Sequence, residues 1–308
     1  MNWFAGLLWA ALTATLVFLV LPVVAIFVDV GPAELLASLD DPSAIDALKL
    51  SLQTSLTAIA IIVVVGTPAA WLLATRRFKG RELVITLVEL PLVLPPAVAG
   101  IGLLAAVGPS GLLAPLGISF TLSTAAVVIA LTFVAAPFYL RQAQSAFEAL
   151  DRSWLDASRT LGAGEARTLA RVAIPAARPG LVAGLALAWG RALGEFGATL
   201  MFAGSFQGVT QTVPLAIYDR FATDFTAALP GLTAGLALAW GRALGEFGAT
   251  LMFAGSFRGV TQTVPLAIYE RFATDFDAAL ALSAVLVAVS AAILLSVKAA
   301  GALDRGAG

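Results

Sequence analysis

Two arginine–glutamate pairs sit in otherwise apolar stretches of the chain. Arg191 with Glu195 and Arg242 with Glu246 each lie four residues apart, in two copies of the segment GRALGEFGATLMFAGSF. On one helix that spacing places both charges on the same face, where they can pair, although arginine before glutamate is the less favourable order. A charge at mid-bilayer costs about 2.5–3.5 kcal/mol, so each is expected to face a bundle interior, a cavity or a partner helix. Two roles follow. The pairs could line a route through the bundle, with Phe196 and Phe247 beside the glutamates and the guanidiniums tuning its potential, or each pair could lock neighbouring helices structurally. Gly190, Gly194 and Gly197 add a small-residue groove that another helix or backbone can enter. Glu89 is a further acid in an apolar stretch; it reads as structural, reaching the interface or capping a helix broken at Pro91. Met201, Phe202 and Phe206 have the spacing of a gate, but apolar side chains at helical spacing more commonly pack.

Composition removes several chemistries. The chain has no cysteine and no histidine, which excludes disulfides, thiolate catalysis, imidazole metal ligands and histidine acid–base work. Lys49, Lys79 and Lys298 each lack a preceding glycine and a following serine or threonine, so no phosphate loop of the GxxxxGK[ST] kind exists. Nucleotide hydrolysis, if the chain depends on it, belongs to a partner. A net charge of −1 gives no basic surface for nucleic acid.

The elements that must position these residues are membrane helices. With 60% hydrophobic and 12% charged residues among 308, the chain is far more apolar than a soluble domain. Stretches of span length cover Phe4–Val28, Leu50–Ala74, Leu83–Val107, Thr121–Leu140, Gly180–Ala203, Gly231–Ala254 and Ala278–Val297. All are expected to be helical, because lipid cannot satisfy an open sheet edge. The first run is too long for a signal peptide and lacks a basic flank, so it reads as a retained span. Arg76, Arg77, Lys79 and Arg81 fill the link after the second span. Arg141, Arg152, Arg159, Arg167, Arg171 and Arg178 fill the link after the fourth. The positive-inside rule places both links, and the N-terminus, in the cytoplasm. Asp29, Glu34, Asp40, Asp41 and Asp46 place the first link outside.

The long basic link, residues 148–178, reads EALDRSWLDASRTLGAGEARTLARVAIPAAR. Helical spacing over Trp154–Ala170, interrupted by Gly162 and Gly164, predicts two short helices with a bend. From periodicity alone, this is equally a solvated loop of amphipathic helices lying on the membrane surface. The segment Asp156-Ala157-Ser158, three residues, Gly162, nine residues, Val172-Ala173-Ile174-Pro175 resembles the EAA loop of ABC importer permeases. That pattern is Glu-Ala-Ala, three residues, glycine, nine residues, Ile-x-Leu-Pro, and the spacing matches throughout with conservative replacements. LPLVLPPAVAG at Leu90–Gly100, with Pro91, Pro95 and Pro96 breaking the third span, resembles the molybdate/tungstate permeases. So does RALGEFGATLMFAG followed by TQTVPLAIY at Thr210–Tyr218. Sulfate/thiosulfate permeases carry similar segments.

The resemblance covers nearly the whole chain. It implies an all-α, polytopic helical bundle of the type I ABC importer permease kind, a single membrane domain over residues 1–308. The loop is then the coupling segment that docks on a cytoplasmic ATPase subunit through Asp156, Ala157, Ser158, Arg159, Gly162 and Pro175. The glycine permits the bend, and the proline suits the entry into the next span. Implied partners are that ATPase, which carries ATP and magnesium, an extracytoplasmic substrate-binding protein, a second permease copy forming a homodimer, and the lipid bilayer. No cofactor or metal is expected in this chain, and no enzyme activity. Localisation would be a prokaryotic inner membrane, multi-pass, with the N-terminus cytoplasmic. The substrate would be an oxyanion, molybdate or tungstate with sulfate/thiosulfate as the near alternative, carried by alternating access. An ion-coupled secondary transporter using Glu89, Glu195 and Glu246 is the reading from another class, and a non-transporting membrane assembly factor a third.

Residues 179–229 and 230–280 are consecutive 51-residue units identical at 47 positions, differing at Val182/Thr233, Gln207/Arg258, Asp219/Glu270 and Thr226/Asp277. Two units are too few for a solenoid, and transporter repeats are divergent and span whole halves. Each unit holds one span and one link, so the second adds an odd number of crossings. Identical spans would then cross in opposite directions and could not share one place in the bundle. The expectation is six spans plus one duplicated span: one copy takes the fifth-span position and the other is peripheral or does not cross.

Overall fold

The computed structural model describes residues 3–29, 42–223, 256, 262–288, 292 and 295. Among them the chain is helical, without strands. Helix α1 runs Trp3–Asp29, α2 Pro42–Thr75, α3 Arg81–Val93, α4 Pro96–Val107 and α5 Thr124–Glu148. Helix α6 follows at Arg152–Thr160, α7 at Glu165–Leu193, α8 at Gly197–Ala203, α9 at Val213–Thr223, α10 at Val264–Phe272 and α11 at Phe276–Ala288. Four of these, α1, α2, α5 and α7, are long and apolar enough to cross a bilayer; α3 and α4 make a fifth if taken as one broken span.

The bundle is built on α5, with α2 on one side and α7 on the other. Small residues make the close approach possible: Ala58, Ala70, Ala126, Ala130, Ala135 and Ala143 are all fully buried at these contacts. A Cβ at Gly180 would lie 2.5 Å from that of Ala146, so only glycine lets α7 reach α5 at that level. Polar side chains tie the three helices where dispersion alone gives no direction. Thr67 on α2 shares a 2.7 Å hydrogen bond with the Tyr139 hydroxyl on α5, and the Trp189 indole on α7 donates to Ser55 on α2 at 3.2 Å. Trp71 meets Phe147 edge-on, centroids 5.3 Å apart. Helix α1 presents large apolar side chains outward along its length, Trp9, Leu12, Leu16 and Phe18 among them, a surface suited to lipid rather than water.

Two expected spans differ in shape. Over Leu83–Val107 the chain bends by 118° between α3 and α4. The break falls at Leu94–Pro95, where Leu94 is extended ahead of a proline; Pro91 stays inside α3, so the helix is not broken there. The span expected as one helix over Gly180–Ala203 is also interrupted. Helix α7 ends at Leu193, and α8 restarts at Gly197. Glycines at 190, 194 and 197 offer little resistance to such a break. Helix α7 also begins much earlier than expected, at Glu165. Pro175 therefore sits within a continuous helix rather than at its entry. The turn before it, Leu169–Ala173, is a π-helix, which widens the backbone where the proline ring would clash with the carbonyl four residues back. The second-copy span, Gly231–Ala254, lies outside the described residues, as does much of Ala278–Val297 beyond α11.

Candidate functional site

Two regions carry the residues singled out by sequence. The first is the interruption between α7 and α8. Arg191 Nη1 lies 2.5 Å from Glu195 Oε2, so the pair forms, but not on the face of one helix as spacing suggested. Glu195 stands past the end of α7, with its other oxygen accepting the Ala198 backbone N–H at 2.7 Å. One carboxylate thus neutralises the arginine and satisfies an orphan donor at the start of α8. Glu195 is 1% exposed and the Arg191 side chain 11%. A charge so buried is tolerable only when paired and hydrogen-bonded.

The glycine groove is occupied by backbone. A Cβ at Gly197 would come within 2.9 Å of Pro96 Cβ, and one at Gly100 within 2.7 Å of the Ala198 carbonyl oxygen. The two interrupted spans therefore interlock, α4 against α8, at the level of the Arg191–Glu195 pair. Phe196 is buried here and meets Tyr218 edge-on at 5.2 Å between centroids. Met201 and Phe202 are buried packing residues, whereas Phe206 is half exposed. Arg242, Glu246 and Phe247 lie outside the described residues.

The second region is the α5–α6–α7 corner. Asp151 caps α6, its carboxylate accepting the Ser153 N–H at 2.9 Å. That backbone hydrogen bond, then the Ser153 side chain, holds its carboxyl below the usual aspartate range. Gly162 has φ +78, a left-handed conformation that glycine alone adopts without strain, and it turns α6 into α7. Asp156, Ala157, Arg159, Gly162 and Pro175 are exposed, and Ser158 is half-buried. Arg159 bridges Asp156 and Glu165, each at 3.2 Å, Ser158 and Thr168 share a 3.0 Å hydrogen bond, and Leu155 anchors α6 inward. The outer face offers Trp154 and Leu161, the latter 88% exposed.

The basic link after α2 lies beside this corner: Arg76 reaches Glu165 at 3.5 Å, and Arg81 reaches Glu148 at 2.7 Å. Both arginine-rich links thus meet at one end of the bundle, around a cleft of about 980 Å³ that includes Arg76, Arg152 and Asp156.

Sequence reasoning missed three partnerships. Glu89 on α3 pairs with Arg141 on α5 at 2.9 Å. Arg141 continues to Gln144, and Gln144 to Glu148, each at 2.8 Å, down to Arg81. Gln144 and Glu148 follow Arg141 at helical spacing, but no spacing along the chain links Glu89 to Arg141 or Arg81 to Glu148. Asp219 accepts from Ser205 at 2.6 Å and Gln211 at 2.7 Å, closing the loop after α8. One signal for the last was present: among the few differences between the units, Asp219/Glu270 keeps the carboxylate.

Residues 63–226 match the family described as the binding-protein-dependent transport system inner membrane component. The chain is 39% identical over 227 residues to the probable transport system permease protein NifC of Clostridium pasteurianum, covering 72% of this chain and 79% of that protein. It is 43% identical over 220 residues to the molybdenum transport system permease protein ModB of Mycobacterium bovis, covering 70% and 83% respectively. A probable molybdenum ABC transporter permease of Haloferax volcanii is 36% identical over 228 residues, 72% of this chain and 83% of that one.

Proposed function

We infer the function from one premise: the chain belongs to the family of binding-protein-dependent transport system inner membrane components. It is a multi-pass membrane transport subunit. Its role is the permease of an ATP-driven oxyanion importer, with molybdate as substrate; the relatives that match over most of their length are named for molybdenum transport. Tungstate, of the same charge and shape, is expected to compete; sulfate is the runner-up. The structural observation that supports coupling is the exposed α6–Gly162–α7 corner. Its ion pairs hold Asp156 and Arg159 in place while Trp154 and Leu161 project outward. An ATPase subunit docks there through Asp156, Ala157, Ser158, Arg159, Gly162 and Pro175, and its closure on ATP rocks the spans between inward and outward openings. An extracytoplasmic binding protein delivers the anion, two permease copies pair, and the N-terminus is cytoplasmic.

Arg191, Glu195 and Phe196 belong in this reading beside the route, with the pair holding the interrupted span in shape. An arginine already neutralised by a buried carboxylate is a weak ligand for an anion, which fits release better than tight binding. The second unit is a duplicate of a functional span and not a second site.

The test is uptake of radiolabelled molybdate by cells expressing the permease with its ATPase and binding protein. Uptake is expected to stop when the ATPase phosphate-loop lysine is replaced, and tungstate is expected to compete where excess sulfate does not. Uptake that persists without the ATPase and collapses with an uncoupler would overturn the reading in favour of ion-coupled transport.

A further inference from the structure

Helix α10, Val264–Phe272, repeats the sequence of Val213–Phe221 with one change, Glu270 for Asp219. The two copies meet. Leu215 and Leu266, equivalent positions of the repeat, are both fully buried in one cluster with Val98 and Ile101 of α4 and with Phe196 and Met201. The hydroxyls of Tyr218 and Tyr269, again equivalent, lie 3.3 Å apart. Each copy keeps its own brace: Gln211 donates to Asp219 in the first, and Gln262 to Glu270 in the second. Helix α10 is therefore folded as α9 is.

Their anchoring differs. The Val213 N–H donates to Ser51 at 2.8 Å and Arg220 to Ser43 at 2.7 Å, fastening α9 to α2. In α10, the equivalent Val264 is 47% exposed and Arg271 is exposed. The first copy is built into the bundle, and the second rests on the face made by α4, Phe196 and Tyr218. Contact between equivalent residues of identical segments is the mark of an isologous interface, where a residue near the two-fold axis meets its own copy. Arbitrary packing of an extra helix has no reason to bring position 218 to its repeat.

We propose that this face is where a second copy of the chain lays its own α9, and that in this chain α10 occupies it in cis. The inference rests on the pairing of two permease copies proposed above, and it assigns that pairing a surface. A tethered copy acts at an effective concentration on the order of millimolar, so α10 competes with a second molecule's α9 for the face, and two full chains pair there only when α10 lifts off.

The chain has no native cysteine, so introduced thiols report alone. In membranes, the full chain carrying Tyr218→Cys and Tyr269→Cys is treated with a short bis-maleimide, and the peptides are mapped. A link within one chain is expected; its absence in inserted protein overturns the proposal. The full chain with Tyr218→Cys alone is expected to give little linked dimer. Adding Leu266→Lys, which unseats α10, should raise that dimer by about tenfold, the competition of a tethered copy being removed. Deletion of 230–280 is the second route to the same exposure. Equal linking with α10 seated or unseated overturns the cis occupancy. No linking in either unseated form, while differently tagged copies still co-purify, overturns the face as the pairing surface. That result leaves ATPase-dependent uptake, measured in the same cells, standing by itself.

Discussion

Glu195 has the most to lose from substitution. Its carboxylate faces Arg191 with one oxygen and the Ala198 N–H with the other, so Glu195→Ala strands a buried guanidinium and an orphan donor together. Removing one member of such a pair costs about 3–5 kcal/mol. The double variant Arg191→Gln, Glu195→Gln removes both charges and is expected to lose less than Glu195→Ala alone, since the two sites are coupled. Thermal unfolding in detergent measures the order; additive losses would sink the coupling. The same double variant with Arg242→Gln is expected to keep substantial uptake. Complete loss in folded, inserted protein would assign the arginine a direct part in passage. Gly100 is the steric counterpart. A methyl there would press on Ala198 backbone and on Met201 Cβ at 2.6 Å, so Gly100→Ala is expected to destabilise by about 1–3 kcal/mol through overpacking.

At the scale of elements, the α6–α7 corner joins a short helix to the long, span-length α7 through one left-handed residue. Nothing crowds Gly162, so Gly162→Ala tests backbone conformation alone, at about 1–2 kcal/mol for an L-residue held there. Expression and insertion are expected to survive, with molybdate uptake reduced; unchanged uptake would separate the corner's shape from coupling. Asp151 gives the corner a pH response. Its native carboxyl titrates below the ordinary 3.8, so the cap contributes fully above that value and is lost as pH falls through the lower native one. The protection of the Ser153 amide, with the intrinsic exchange rate at each pH divided out, is expected to fall over that acid window in the native protein and to stay level in Asp151→Asn, which keeps an acceptor without the titration.

Across the whole molecule, the described part of the first repeat unit is woven into the bundle. Helix α7 packs on α5 and α2, α8 on α4, and α9 on α2. A bundle of this kind has one place for such a span, and the first unit's described residues fill it. The prediction is that the chain keeps the six-span arrangement with an additional unit at its side, leaving the C-terminus cytoplasmic. A cysteine placed at Gly308 is then labelled by an impermeant maleimide only after the membrane is opened. Labelling from outside would mean that the second unit also crosses.

Hydropathy, charge and one spaced motif sufficed for much of this. Apolar runs of span length can only be helices in lipid, and α1, α2, α5 and α7 stand where such runs occur. Two glycines within a helical period announced the bend at Gly162. These are local matters, decided by a residue's own backbone freedom or by a solvent that treats every segment alike. The tertiary structure decided what distant residues do together. The run at Gly180–Ala203 looks continuous, yet it is interrupted because α4 presses into Gly197 and a buried carboxylate caps the restart at Ala198. Glu89 found Arg141 across two helices, and Tyr218 found its own repeat. Such choices depend on which surfaces are pressed together once the bundle closes, and no period along the chain encodes them.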